Sequence, residues 1–279
     1  MNKNTEIELE YLNAIAFAKS HYENFPVLSF LLPKRFYKHV AIIYKFARTA
    51  DDIADEGKFS NEQRIENLDN YEEAFNNSLK GKFANNFWMA LSNTINNQNL
   101  SKDNFSNLLI AFRQDITKTR YFTQDELLNY CINSANTIGR IILELYGIRD
   151  LSAFKFSDKI CTALQITNFL QDISIDFEKG RVYLPIAEMN EFSVDENIFY
   201  LKKINSNFQK LMKKQVIQVS KYFEDGKNLL PYLPFSLKLQ IKWTINGGEE
   251  ILKKIVNQNY DVLIKRPKIS KFELLKLLF

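Results

Sequence analysis

Apolar residues in SANTIGRIILELYG and CTALQITNFLQDI recur at helical spacing, and no segment alternates apolar with polar long enough to compete as a strand. That periodicity confines the chain to helix packed on helix. Eight Gly and six Pro in 279 residues allow few tight turns, which again favours long helices over many short strands. Pro33 opens a helix carrying FYKHVAIIYKFARTADDIADE to Gly57, and Ser60 with Gln63, Thr123 with Glu126 and Ser193 with Glu196 have capping-box spacing. Further helices are expected from Ser101, from Ser152 towards Gly180, from Asn197 to Gly226 and from Phe235 to Ile264. The expectation is an all-α fold in one domain, 1–279, because no linker-like stretch or solenoid repeat divides the chain.

Two of these helices carry acids in a pattern that needs a cation. Asp51, Asp52 and Asp55 stand in RTADDIADEG, and Asp172 and Asp176 in NFLQDISIDFEKGRVYLP. Residues four apart on a helix lie about 6 Å apart on one face, so each cluster aims two carboxylates at a common point, where they repel unless something positive sits there. At 100° per residue, taking Asp51 as zero puts Tyr44 at about 20°, Asp55 at about 40° and Arg48 at about 60°, one narrow stripe. Asp52 falls at about 100° on the same scale, at the stripe's margin, and suits a supporting acceptor better than a ligand. Asn168, Asp172 and Asp176 form an i, i+4, i+8 ladder, with Gln165 and Cys161 continuing the face. Taken singly, either cluster reads as a solvated face with Arg48 making helix pairs. Together, within strongly apolar helices, they read as lining a cavity. Mg²⁺ is the natural cation, with Mn²⁺ as its substitute: it takes oxygen ligands and is shared between a few carboxylates and substrate phosphates. Asp51, Asp55, Asn168, Asp172 and Asp176 are the candidate metal ligands, and the ligand expected is a diphosphate clamped between the two helices.

Composition narrows the alternatives. A net charge of +4, with Lys and Arg scattered among nearly as many acids, gives no basic stripe for nucleic acid. Two cysteines, Cys131 and Cys161, indicate neither a disulfide framework nor a zinc site and suit a reducing cytoplasm. The start MNKNTEIELE is acidic and polar, unlike a secretion signal, and no run approaches the ~18 apolar residues of a membrane span.

YKFARTADDIAD (44–55) and NFLQDISID (168–176) resemble the two signatures of the squalene/phytoene synthase family, while Arg120-Tyr121, ELLNYC (126–131) and GRVYLP (180–185) resemble its middle segment and post-motif loop. The resemblance spans nearly all the chain. It implies an isoprenoid synthase-type helical bundle with a central cavity. HYENFP (21–26), FARTA (46–50) and SAN (134–136) look like the branch that turns presqualene diphosphate into hydroxysqualene in bacterial hopanoid biosynthesis. The reaction so implied is loss of diphosphate followed by capture of the carbocation by water. No Gly-x-Gly-x-x-Gly fingerprint appears, so no nicotinamide cofactor is expected.

Under that resemblance Arg48 and Arg181, with Lys179, approach phosphate oxygens, since an arginine fork suits an oxyanion. Gln165 lies on the same substrate face. Tyr44 and Tyr183 are candidate hydrogen-bond donors to the leaving group, against a plain reading as packed aromatics. Phe25, Phe169 and Tyr130 are candidate walls of an apolar pocket in which ring faces stabilise the cation. Asn136, helped by Asn133 and Ser134, and His21, whose family position is near the flap over the diphosphate, are candidates for positioning water. For the first three the plain alternative is bonding along a helix face. The C-terminal segment from Lys265 and Arg266 to Phe279 pairs basic with apolar residues, which suits either peripheral contact with the inner membrane face or packing of Leu274, Leu275, Leu278 and Phe279 on the bundle. Expected partners are a prenyl diphosphate and enzymes of the squalene and hopanoid pathway, in the cytoplasm. Rival readings are a head-to-head synthase making presqualene diphosphate, dehydrosqualene or phytoene, a terpene cyclase, and a non-catalytic assembly factor.

Overall fold

The computed structural model describes residues 2–21 and 31–277, and among them no strand forms; one parallel bridge joins Arg120 and Val182. Phe25 lies outside the described residues, as do the side chains of Leu274, Leu275, Leu278 and Phe279. The chain divides into two compact units, Met1–Thr117 with Arg140–Arg149, and Lys118–Gly139 with Asp150–Phe279.

In the first unit α1 (Lys3–Ser20), α2 (Lys34–Asp55), α3 (Asn61–Leu79), α4 (Asn86–Asn97) and α5 (Lys102–Thr117) surround an apolar core. Phe46, Ala50 and Ala54, one stripe of α2, are buried there. The Phe46 ring meets Tyr71, Phe75 and Phe105 at 5.3–5.4 Å between centroids. That burial leaves Asp51 and Asp55, each one residue on and about 100° round, half-buried at the margin. The acid-bearing end of α2 is finished by Gly57, whose φ of +78° few other residues adopt. Arg64 caps it, donating to the carbonyls of Ile53 (3.3 Å) and Gly57 (3.0 Å). Ser60 and Gln63 exchange both bonds of a capping box at the head of α3.

The second unit holds α6 (Gln124–Asn133), the start of α7 (Ala135–Leu145), α8 (Leu151–Gln171), α9 (Ile173–Glu178), α10 (Ile186–Glu191), α11 (Asn197–Leu201), α12 (Ser206–Gly226), a 3₁₀ turn (Lys227–Tyr232), α13 (Phe235–Asn257) and α14 (Lys271–Lys276). The long α8 packs on α12 and α13. Gly139 lets α7 approach α8 closely: a Cβ there would stand 2.5 Å from both Cys161 Sγ and Ser157 Oγ.

Five expectations are corrected. The Ser152–Gly180 helix is broken at Asp172 (φ −108°, ψ 12°) into α8 and α9. Ser193 caps nothing by a box: it sits at φ +53°, closing a turn by donating its N–H to Asn190, and α11 starts after Glu196. The Asn197–Gly226 helix is interrupted at Lys202, in the left-handed region, and restarts where Asn205 accepts from the Phe208 N–H at 2.9 Å. α13 stops at Asn257, because Asn259 and Tyr260 take positive φ. Thr123 makes only half a box. It accepts from the Glu126 N–H, while the Glu126 carboxylate takes the Phe122 N–H and Lys118.

Candidate active site

In the first unit the stripe expected on α2 forms. Arg48 reaches over the acids, with Nη2 2.7 Å from Asp52 Oδ1 and Nη1 3.4 Å from Asp51 Oδ2. Asp52, at the margin, thus takes the closer arm of the guanidinium. Tyr44 lies on the same helix beside the end of α1, its ring 6.3 Å from His21 and 6.2 Å from Phe17. His21 stacks obliquely on Phe17 at 4.2 Å, and its Nδ1 shares a bond of 2.9 Å with the Phe17 carbonyl and one of 3.2 Å with Ser20. His21 and Tyr44 therefore come together.

In the second unit Gln165 and Asn168 lie on α8, Asp172 at its end and Asp176 on α9. The break does not undo the ladder: the Asp172 N–H donates to Asn168 at 2.9 Å and the Asp176 N–H to Asp172 at 2.8 Å, so helical spacing persists across the junction. Asp176 also receives the Arg181 N–H at 2.8 Å, after a turn at Gly180 with φ +81°. The loop is then stitched to the segment before α6. Val182 donates to Thr119, and Ile186 to Tyr121, each at 2.9 Å. Arg120 locks this seam, donating to the Gly180 carbonyl at 2.6 Å and to both oxygens of Glu196 at 2.5 and 2.8 Å.

The stitched loop delivers Tyr183 onto Phe169, centroids 3.7 Å apart and planes 7° from parallel. Tyr130 stands 6.1 Å from Phe169 and 6.3 Å from Tyr183, and Tyr121 5.6 Å from Tyr183. A small cavity beside these rings is lined by Leu127, Ile166, Leu170, Leu184 and Gln215 with Phe169 and Tyr183. Sequence reasoning did not single out Tyr121 as a wall residue, nor Gln215. Asn136 is buried and accepts from Thr162 Oγ1 at 3.0 Å. Ser134 bonds back to the Tyr130 carbonyl at 2.9 Å, the helix-face role.

One partner was invisible in the sequence. Arg266, read only as part of a basic tail, donates Nε and Nη2 to the two oxygens of Asp172, the second at 3.0 Å.

The donor set suits a hard divalent cation. The first stripe supplies carboxylate oxygens and the second carboxylate and amide oxygens, and two carboxylates per stripe is the number Mg²⁺ takes when water and phosphate complete its shell. Among the described residues no group of three or more His, Cys, Asp or Glu is gathered as a self-sufficient metal cage. Cys131 is buried, and burial, reinforced by Cys161, pushes its thiol up to about 12, which makes it unreactive. No helix among the described residues is long and apolar enough to cross a membrane.

The squalene/phytoene synthase profile matches residues 18–273. Hydroxysqualene synthase of Rhodopseudomonas palustris is 30% identical over 254 residues, covering 90% of this chain and 85% of that one. Chloroplastic phytoene synthase 2 of Oryza sativa subsp. japonica is 27% identical over 240 residues, 84% of this chain and 60% of that one. Among solved structures, squalene synthase HpnC from Alicyclobacillus acidocaldarius matches with a TM-score of 0.86 at 32% identity, covering 92% of this chain and 96% of that one. The fold is the all-α isoprenoid synthase type. The chain belongs to the squalene/phytoene synthase family of head-to-head prenyl transferases.

Proposed function

We propose that this protein converts presqualene diphosphate to hydroxysqualene. The observation that carries this reading is the likeness to a hydroxysqualene synthase across 90% of the chain, supported by the two acid-bearing stripes with an arginine at each. Asp51 and Asp55, and Asn168, Asp172 and Asp176, are the oxygen ligands of Mg²⁺, or Mn²⁺ in its place. Bound there, the metal would supply the positive charge that a departing diphosphate needs.

The protein's own groups then act on substrate. Arg48 and Arg181, with Gln165, bind phosphate oxygens, and Tyr44 and Tyr183 donate hydrogen bonds to them. The carbon–oxygen bond breaks with its electron pair leaving on the diphosphate. Ring faces of Phe169, Tyr130 and Tyr183 stabilise the carbocation and exclude bulk water. One water, positioned by His21, adds through its oxygen lone pair and releases a proton to solvent, giving the alcohol without any reductant. The enzyme works in the cytoplasm, in peripheral contact with the inner membrane face that carries its substrate and beside other enzymes of the squalene and hopanoid pathway.

A second reading, condensation of two prenyl diphosphates, is favoured by the 27% identity to a phytoene synthase. One experiment separates them. Purified protein with Mg²⁺ in ¹⁸O-water is given presqualene diphosphate or farnesyl diphosphate, each with and without reduced nicotinamide. Labelled hydroxysqualene from presqualene diphosphate alone is the expected result; consumption of farnesyl diphosphate alone would overturn the proposal.

A further inference from the structure

Asp172, an acid of the second stripe, has both of its oxygens taken by a cation on another element, 94 residues away in sequence. The segment after α13 runs past the α8–α9 junction and is fixed there on both sides of Arg266. Val262, Leu263 and Pro267 are buried. The Gln171 amide donates to the Pro267 carbonyl at 2.5 Å, and Ser174 Oγ to Val262 at 3.5 Å. Gln171 and Ser174 flank Asp172, so the anchors bracket the ion pair. The pair itself is only about one quarter exposed on each side.

A guanidinium fork that bonds both oxygens of a carboxylate leaves poor room for a metal on that carboxylate, and arginine cannot give up its charge to make way. A dication arriving at Asp172 must therefore displace Arg266 and, if the strap stays put, bear its repulsion. A diphosphate changes the balance, because it offers the displaced guanidinium an anionic, fork-shaped partner. We propose that Arg266 is a positioning residue that acts through Asp172: it masks this ligand in the resting protein and makes metal binding at the second stripe conditional on a diphosphate. The inference rests on the reading of Asp172 as a metal ligand. Coupling of this kind is reciprocal, so metal in turn raises affinity for the diphosphate.

The test is Mn²⁺ binding followed by electron paramagnetic resonance of the full chain in an Asp51→Asn background, so that the signal reports the second stripe. Each titration is run without and with inorganic pyrophosphate and referenced to protein-free samples. With Arg266 intact, pyrophosphate tightens Mn²⁺ binding by about 10-fold or more, within the usual range of such couplings. Arg266→Gln binds Mn²⁺ alone about 10-fold more tightly, and the gain from pyrophosphate largely disappears. Arg266→Lys, which keeps a point charge but loses the fork, lies between and serves if the Gln variant does not fold. Equal or weaker binding of Mn²⁺ alone by both variants overturns the masking role while leaving the metal site standing. Absence of Mn²⁺ binding with Arg266 intact under both conditions overturns the metal assignment of Asp172, and the inference with it.

Discussion

Tyr183 lies flat on Phe169, 3.7 Å between centroids, because the loop that carries it is pinned to Thr119 and Tyr121 by backbone bonds and to Glu196 through Arg120. Phe169 is buried on α8, so Phe169→Ala is expected to cost about 3 kcal/mol by urea denaturation, the usual loss for a large ring in a core. Tyr183→Phe keeps the stack and should unfold like the parent. If its hydroxyl meets the leaving group, turnover in that variant falls by about 10-fold with stability unchanged, and equal turnover would reduce Tyr183 to packing.

Asp55→Asn and Asp172→Asn preserve shape and remove one charge from each stripe. Each should lower metal-dependent turnover by about 100-fold or more, the scale seen when one element of charge stabilisation is lost. Circular dichroism should stay close to the parent, while thermal unfolding of Asp172→Asn should fall modestly with the loss of one arm of the Arg266 fork. Excess chelator should silence the unsubstituted enzyme to the same degree, and Mg²⁺ or Mn²⁺ should restore it. Undiminished turnover in either variant would contradict the assignment of that acid.

Much of this was legible because helical spacing is local. Asp51 and Asp55 follow a stripe fixed by Phe46, Ala50 and Ala54 turning inward, and the capping box at Ser60 follows from side chains three residues apart. What failed to show were choices made by distant chain. The break at Asp172 coincides with the attachment of Arg266 and Pro267, and nothing near residue 172 announces a partner so far along. Asn136 was expected to hold a water, yet its acceptor is engaged by Thr162 on a neighbouring helix, a pairing that periodicity does not specify. The helix boundaries at Lys202 and Asn259 were missed for a related reason: each end depends on a left-handed residue that is neither Gly nor Pro.

His39 stands in the core of the first unit, its Nδ1 3.0 Å from Thr94 Oγ1, which in turn is 2.8 Å from the Tyr11 hydroxyl. Burial, with Lys38 adding to it, lowers its pKa from 6.5 to about 4. The folded value lies below the unfolded one, so the stability tied to neutral His39 is full above about pH 6.5 and is lost as pH falls towards 4. The shift corresponds to about 3 kcal/mol. Urea unfolding between pH 7.5 and 4.5 should show this slope, and His39→Gln should flatten it, though at a lower stability near neutrality. A parallel slope in the variant would assign the acid sensitivity elsewhere.

Gly139 tests how tightly α7 must approach α8. A methyl placed there meets Cys161 Sγ and Ser157 Oγ at 2.5 Å, well inside contact, and neither atom ends a long flexible side chain that can swing away. Gly139→Ala should therefore destabilise by about 2 kcal/mol, within the range for overpacking, despite the better helix propensity of alanine. Adding Ser157→Gly should recover part of that loss because it removes one of the two clashing groups, and the recovery should exceed the sum of the separate effects. Thermal or urea unfolding of the four proteins of that cycle measures it. An additive result would mean that the helices move apart to admit the methyl, and that their close approach carries little of the stability of the second unit.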